Sequence, residues 1–237
     1  MTLDEKIGMV TGVGQFTSRC VGNIKPPTRS FSVAGTNVTI PPICLSDGPA
    51  GMRLVKQVTG FPSGINVAST FSKRLMRSHV YLGPAMDIMR NPKMGRGWES
   101  FGPDPYLAGE AAYETIIGVQ STGVQACAKH LVANNQEHWR HGLSSDVDDR
   151  TLRELYWWPF MRMMCAYNRF NQTSSCQNAE LLGPDGILRK DGFKGYVMSD
   201  WGATHDDAAV NANHGLHMEQ PGDYILIGGG VFGNSST

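Results

Sequence analysis

Short apolar runs that end in polar residues recur along this 237-residue chain and constrain its fold more than any other feature. Ile43-Cys44-Leu45-Ser46 runs into Asp47-Gly48-Pro49, and Val80-Tyr81-Leu82 ends at Gly83-Pro84. Val124 to Ala128 reads as a strand leading straight into Lys129-His130. Met163 to Tyr167 and Gly195 to Ser199 read as two more, the last ending at Asp200-Trp201. Between them, Pro105 to Thr122 keeps helical spacing through Leu107, Ala111, Ile116 and Val119, and Asp149 to Phe160 reads as a second helix. Short strands separated by helices imply parallel β/α units. In a barrel of such units the active site lies at the C-terminal rim of the strands, where Asp47, Lys129, His130, Tyr167 and Asp200 fall.

Other segments punctuate this pattern. Thr2 with Glu5 forms a capping box that starts a helix. Residues 18–42 are polar and Pro-rich and read as a long loop. Gly12-Val-Gly14 lacks the third glycine and the preceding strand of a dinucleotide fingerprint, and Gly228 to Gly230 reads as a flexible linker.

Composition excludes several classes. Lys plus Arg and Asp plus Glu are both 21, so there is no basic surplus for binding nucleic acid. Apolar residues at 41% and charged residues at 18% suit a packed core rather than a disordered chain. No run of about 18 apolar residues occurs, so no transmembrane helix and no membrane partner are expected. The N-terminus lacks the basic-then-apolar pattern of a signal peptide, yet three glycosylation sequons occur, at Asn37, Asn171 and Asn234. None of the five cysteines forms a C-x-x-C pair, which argues against a zinc ribbon. Cys165 and Cys176 bracket a polar loop that a disulfide could close; five unpaired thiols are the alternative.

The candidate chemistry centres on Asp200, a strand-end carboxylate suited to act as nucleophile, base or metal ligand. Trp201 beside it suits a sugar, whose C–H faces stack on indole. Asp47, Arg96, Lys129, His130 and Arg140 supply charged partners for hydroxyls. Neighbours on a strand point to opposite sides, so Lys129 and His130 reach one ligand only where the strand ends or bulges. A metal reading would use His130, His138 and His141, but no H-E-x-x-H occurs; neither metal nor cofactor is expected.

Many ordered strings resemble glycoside hydrolase family 3, especially its fungal β-glucosidases. They include Leu45-Ser-Asp-Gly-Pro, Phe61-Pro-Ser-Gly-Ile-Asn, Gly95-Arg-Gly-Trp-Glu-Ser-Phe, Pro103-Asp-Pro-Tyr, Ala128-Lys-His, Asn135-Gln-Glu-His, Asp148-Asp-Arg-Thr-Leu-Arg-Glu-Leu-Tyr, Met164-Cys-Ala-Tyr-Asn and Val197-Met-Ser-Asp-Trp-Gly-Ala. The resemblance implies an α/β fold, a TIM-like (β/α)8 barrel that is incomplete here. It covers residues 1–223 as the family's N-terminal domain and leaves 224–237 as an unassigned tail. It implies retaining hydrolysis of terminal β-D-glucosyl residues, with Asp200 as nucleophile. Asp47, Leu82, Arg96, Lys129, His130, Arg140, Met164, Tyr167 and Trp201 would bind a β-glucoside or cello-oligosaccharide. It further implies the disulfides Cys20–Cys44 and Cys165–Cys176, and a secreted glycoprotein.

The chain also departs from the family pattern. The family's acid/base is a Glu on a C-terminal second domain, expected in the full-length protein and missing here. The segments Met76 to Val80 and Phe160 to Met163 look short, which points to a truncated or mis-spliced fragment. His217 stands where the family has Asp, which puts an expected rim carboxylate in doubt. A non-catalytic sugar-binding protein, or an inactive fragment, is the alternative function.

Overall fold

The computed structural model describes residues 1–15, 20–24, 26–53, 56–71, 82–159, 163–205 and 207–222. The apparent shortening at Met76 to Val80, the connection through 160–162, and the tail with Asn234 lie outside these residues.

The chain begins with α1 (Leu3–Val10), whose N-terminus carries the expected capping box: Glu5 N–H donates to Thr2 Oγ1 at 3.2 Å and Thr2 N–H to Glu5 Oε2 at 2.7 Å. Next come β1 (Gly12–Gln15), β2 (Gly22–Ile24), β3 (Phe31–Val33), β4 (Thr36–Val38) and β5 (Ile43–Leu45). Strands β1, β2 and β5 pair antiparallel, and β3 with β4 makes a hairpin. The single long loop expected over 18–42 is therefore wrong. Ala34 and Gly35 both take positive φ, 49° and 81°, and turn a hairpin whose strands, three residues each and mostly exposed, are too short to stand out in the sequence.

After α2 (Gly64–Ala68) comes α3 (Pro105–Gln120), capped by Asp104, whose Oδ1 accepts from Leu107 N–H at 2.7 Å. Pro105 occupies the first helical position, where a missing N–H costs nothing. The helix buries Ala108, Ala111, Ala112, Ile116 and Val119.

The strand expected over 124–128 is displaced: β6 is Lys129–Leu131, and the preceding apolar residues pack as irregular chain. Next are β7 (Ser144–Ser145) and α4 (Asp149–Thr151), which widens at once into a π-helical turn, Leu152–Tyr156, so the second helix is shorter and less regular than its spacing suggested. Strand β8 is Met163–Cys165, and β9 (Arg169–Phe170) and β10 (Thr173–Ser174) follow it. The chain then forms α5 (Ala179–Leu182), α6 (Ile187–Lys190), β11 (Val197–Ser199) and α7 (Ala208–Asn213).

The centre is a parallel sheet in the order β11-β8-β6. Its two faces enter two apolar clusters. Met163, Cys165 and Val197 join the larger one with α3, while the intervening Met164 and Met198 join a smaller one with Val21, Ile24, Leu45, Leu82 and Met218. This period-2 division buries both faces, as parallel strands require. Single parallel bridges extend the sheet: Ala85 to Lys129, Asp47 to Leu82, Met198 to Met218 and Thr11 to Glu219. The described residues do not form a closed barrel of eight β/α units, and β1, β2 and β5 pair antiparallel.

Candidate active site at the strand ends

Asp200 directly follows β11 and is 8% exposed. Trp201 N–H donates to its Oδ1 at 2.8 Å. Burial raises its pKa; the charges of Lys129 and Arg96, that N–H and the Tyr167 hydroxyl pull the other way and stabilise the anion. Tyr167, two residues beyond β8, has one hydroxyl proton for two neighbouring acceptors, Asp200 and the Trp201 carbonyl 3.0 Å away. Burial first, and then Asp200, lift the Tyr167 pKa, so it remains a donor.

Each cation around Asp200 is held by an acid. Lys129 Nζ donates to Asp47 Oδ1 at 2.7 Å, and Arg53 Nη1 lies 3.0 Å from Asp47 Oδ2. Burial opposes the Asp47 charge, but Lys129, Arg53 and Arg96 outweigh it and hold this carboxyl below its usual range. Arg96 is fixed by a two-point contact to Glu99, 2.9 Å at both nitrogens. Burial works against this cation too, and Glu99, Asp200 and Asp87 outweigh it. Arg140 donates to Glu137 Oε2 at 2.6 Å and lies 3.8 Å over the Tyr167 ring.

His130 is 1% exposed. Lys129 and Leu131, two apart, pair with Met164 and Cys165, one apart, so His130 is the extra residue of a bulge. This irregularity lets both Lys129 and His130 serve one site. Nδ1 of His130 lies 2.8 Å from Asp87 Oδ2, and Nε2 lies 3.4 Å from Asp200 Oδ2. Burial, then the nearby cations Arg96, Lys129 and Arg140, keep the ring neutral, with a pKa well below the usual value.

Leu82 and Met164 lie in the smaller apolar cluster, against which Trp201 packs while its Nε1–H donates to the Val21 carbonyl at 2.9 Å. The structure thus brings Asp47, Arg96, Lys129, His130, Arg140, Tyr167 and Trp201 around Asp200, with Leu82 and Met164 in the cluster that Trp201 adjoins.

Asp87, Glu99, Glu137 and Arg53 were missed as supports. Glu99 and Glu137 had a readable signal, a spacing of three residues from Arg96 and Arg140. Asp87 and Arg53 had none.

His138 and His141 do not join His130. His138 is exposed against Trp139, and His141 packs on Tyr167. Among the described residues no group of three His, Cys, Asp or Glu side chains is placed to hold a metal. No described helix is long and apolar enough to cross a membrane. His217 is not at the rim. It lies beside Val197, at the opposite end of β11 from Asp200, so the concern over a lost rim carboxylate is misplaced.

Cys20 is bonded to Cys44, tying the chain before β2 to β5, and Cys165 of β8 is bonded to Cys176. Cys127 is free. Asn37 is exposed on β4. Asn171 is exposed too, but its side-chain amide exchanges two hydrogen bonds with Val147, at 2.8 and 3.1 Å.

Comparison with known proteins supplies a family. The glycosyl hydrolase family 3 N terminal domain matches residues 7–217. A probable β-glucosidase L of Aspergillus terreus is 41% identical, over 100% of this chain and 34% of its own length. Among solved structures, a β-glucosidase of Chaetomella raphigera superposes with a TM-score of 0.83 at 41% identity, covering 96% of this chain and 34% of that one. β-Glucosidase 3B of Thermotoga neapolitana, in complex with glucose, gives 0.81 at 35% identity, covering 94% and 36%. The chain spans about a third of the length of the curated relatives it matches. By the extent of the match and the identity it shares, the chain belongs to glycosyl hydrolase family 3 and corresponds to the family's N-terminal domain.

Proposed function

We propose that this chain carries the sugar-binding and nucleophilic half of a retaining β-glucosidase, on an incomplete TIM-like barrel. The observation that carries this reading is Asp200, a buried strand-end carboxylate with an N–H, a phenol and two cations placed to stabilise its anion. One carboxylate oxygen attacks the anomeric carbon of a terminal β-glucosyl residue. The bond to the leaving oxygen breaks, its electron pair stays on that oxygen, and a general acid protonates it. Water then attacks the same carbon and gives up a proton to the same acid/base group. The carbon–Asp200 bond breaks and β-glucose is released. Arg96, Lys129, His130, Arg140 and Asp47 bind the sugar hydroxyls, and Trp201 covers an apolar face.

The acid/base group is assigned to a second domain beyond this chain. Around Asp200, Asp47, Glu99 and Glu137 are each paired with a cation and Asp87 is occupied by His130, which supports that assignment. The same observation favours a second reading for the isolated chain, sugar binding without efficient turnover, since general acid help is worth about 10²–10⁴ in rate. The two disulfides support a secreted protein.

The test is trapping with an activated 2-fluoro-glucoside, followed by peptide mass analysis. A label on the Asp200 peptide, lost in Asp200→Asn, is the expected result. A label on another carboxylate such as Asp47 overturns the nucleophile assignment. Glucose binding with no label supports the binding-only reading.

A further inference from the structure

Among the described residues, the His130 ring has a hydrogen-bond partner on one side only. Its Nε2 is buried and, although 3.4 Å from Asp200 Oδ2, makes no hydrogen bond. On the other side stands Asp87, 5% exposed, to which neither the sequence nor the proposed reaction assigns a role. Besides the imidazole, Asp87 receives two backbone amides: His130 N–H at Oδ2 and Asn134 N–H at Oδ1, both 3.2 Å. A backbone amide can only donate, so both oxygens of Asp87 are engaged as acceptors. These donors and the Arg96 charge favour the carboxylate, against burial, which pushes its pKa up to about 7. A neutral imidazole carries one N–H. If that N–H faces Asp87, the lone pair is left at Nε2, opposite the Asp200 carboxylate. Two acceptors then stand 3.4 Å apart, and a donor set beside both would satisfy them.

We propose that Asp87 is a positioning residue: it holds His130 as the Nδ1–H tautomer, so that Nε2 accepts a hydrogen bond from a hydroxyl of the sugar bound beside Asp200. The proposal rests on reading the Asp200 site as a sugar site. It gives the pocket a requirement for a donor at this point, because a ligand without that hydroxyl leaves the buried Nε2 unpaired. Removing Asp87 leaves Asp200, among the described residues, as the carboxylate beside the ring, which favours the opposite tautomer.

The experiment is nitrogen NMR on histidine-labelled protein at pH 8, with the His130 signals identified by their absence in His130→Gln, and with glucose titrated in parallel. The wild-type chain is expected to show Nδ1–H at His130. Folded Asp87→Ala is expected to show Nε2–H and to bind glucose at least tenfold more weakly. An Nε2–H tautomer in the wild type overturns the proposal, even if the variant does not fold. An unchanged tautomer in a folded variant overturns it as well. A wild-type chain with the expected tautomer that binds no glucose overturns the sugar-site reading, and leaves the tautomer assignment standing.

Discussion

The two ends of β11 treat charge in opposite ways. At the end that carries Asp200, the cations Lys129, Arg96 and Arg140 each meet a carboxylate, and the carboxylates are ordered in turn by amides and cations. At the other end, Val197 N–H approaches His217 Nδ1 at 3.2 Å, and Arg189 Nη2 approaches its Nε2 at 2.9 Å. Both neighbours are donors, whereas a neutral imidazole accepts at one nitrogen only. At the first end each of these cations has its carboxylate, and at the other His217 meets two donors with one acceptor. The difference separates side chains that shape a binding site from those that only join a strand to its neighbours.

The strongest way to break the contrast is to remove one partner at the Asp200 end. Lys129→Met leaves the Asp47 carboxylate with the exposed Arg53 and the charge of Arg96, and deleting one member of a buried pair costs about 3–5 kcal/mol. Urea unfolding should show that loss, and a change below about 1 kcal/mol would mean that the pair is solvated. Pairing it with Asp47→Leu should recover much of the loss.

Next in size is the cross-link beneath Tyr167. Replacing Cys165 and Cys176 together by Ser opens a loop of separation 11 and should cost roughly 3 kcal/mol. Thermal unfolding under non-reducing conditions measures this, and peptide mapping that finds both thiols free in the wild type contradicts the premise.

The opposite end offers a gain. His217→Asp puts an acceptor-only group between the two donors and should stabilise by about 1–2 kcal/mol. The pH dependence sharpens this. Burial, then Arg189, lower the His217 pKa, so the unfolded chain takes up this proton more readily. Wild-type stability therefore falls as pH drops through about 6.5, and the variant should lose less over that interval. Parallel curves in the two proteins would show that His217 does not contribute.

The smallest effect is expected away from both ends. Arg150 and Glu154 pair at 2.9 Å with side chains 83% and 60% exposed, so Arg150→Ala should change stability by less than about 0.5 kcal/mol.

The Asp200 end was more legible in the sequence than the rest because its signals are local. Asp200, Lys129 and Tyr167 each lie in or just past a short apolar run, and α3 announces itself through its spacing and Asp104-Pro105. The hairpin of β3 and β4 was hidden because its strands are three residues each and mostly exposed, so the alternation of Phe31-Ser32-Val33 is too short to read. The apolar stretch 124–128 resembled a strand because burial alone selects the same residues. Asp87 was out of reach: its partner His130 is 43 positions away, and nothing beside Asp87 distinguishes it from other acids. His217 was misplaced because a motif fixes order along the chain, not the end of a strand that a residue faces.

The two disulfides also set an order in time. Cys20 and Cys44 lie far ahead of Asp200, so their cross-link can close before Asp200 has been synthesised, whereas Cys165 and Cys176 leave the ribosome only as Asp200 is being added. At translation rates of about 5–20 residues per second, the stretch from Cys176 to Asp200 takes a few seconds. Oxidation itself takes seconds or longer, so the two events compete. Where oxidation leads, the turn bearing Tyr167 is already tied down, and β11 with Asp200 docks onto a prepared wall. Where it lags, Asp200 arrives before its surroundings are set, and the oxidising power of the surroundings then governs the yield of folded protein.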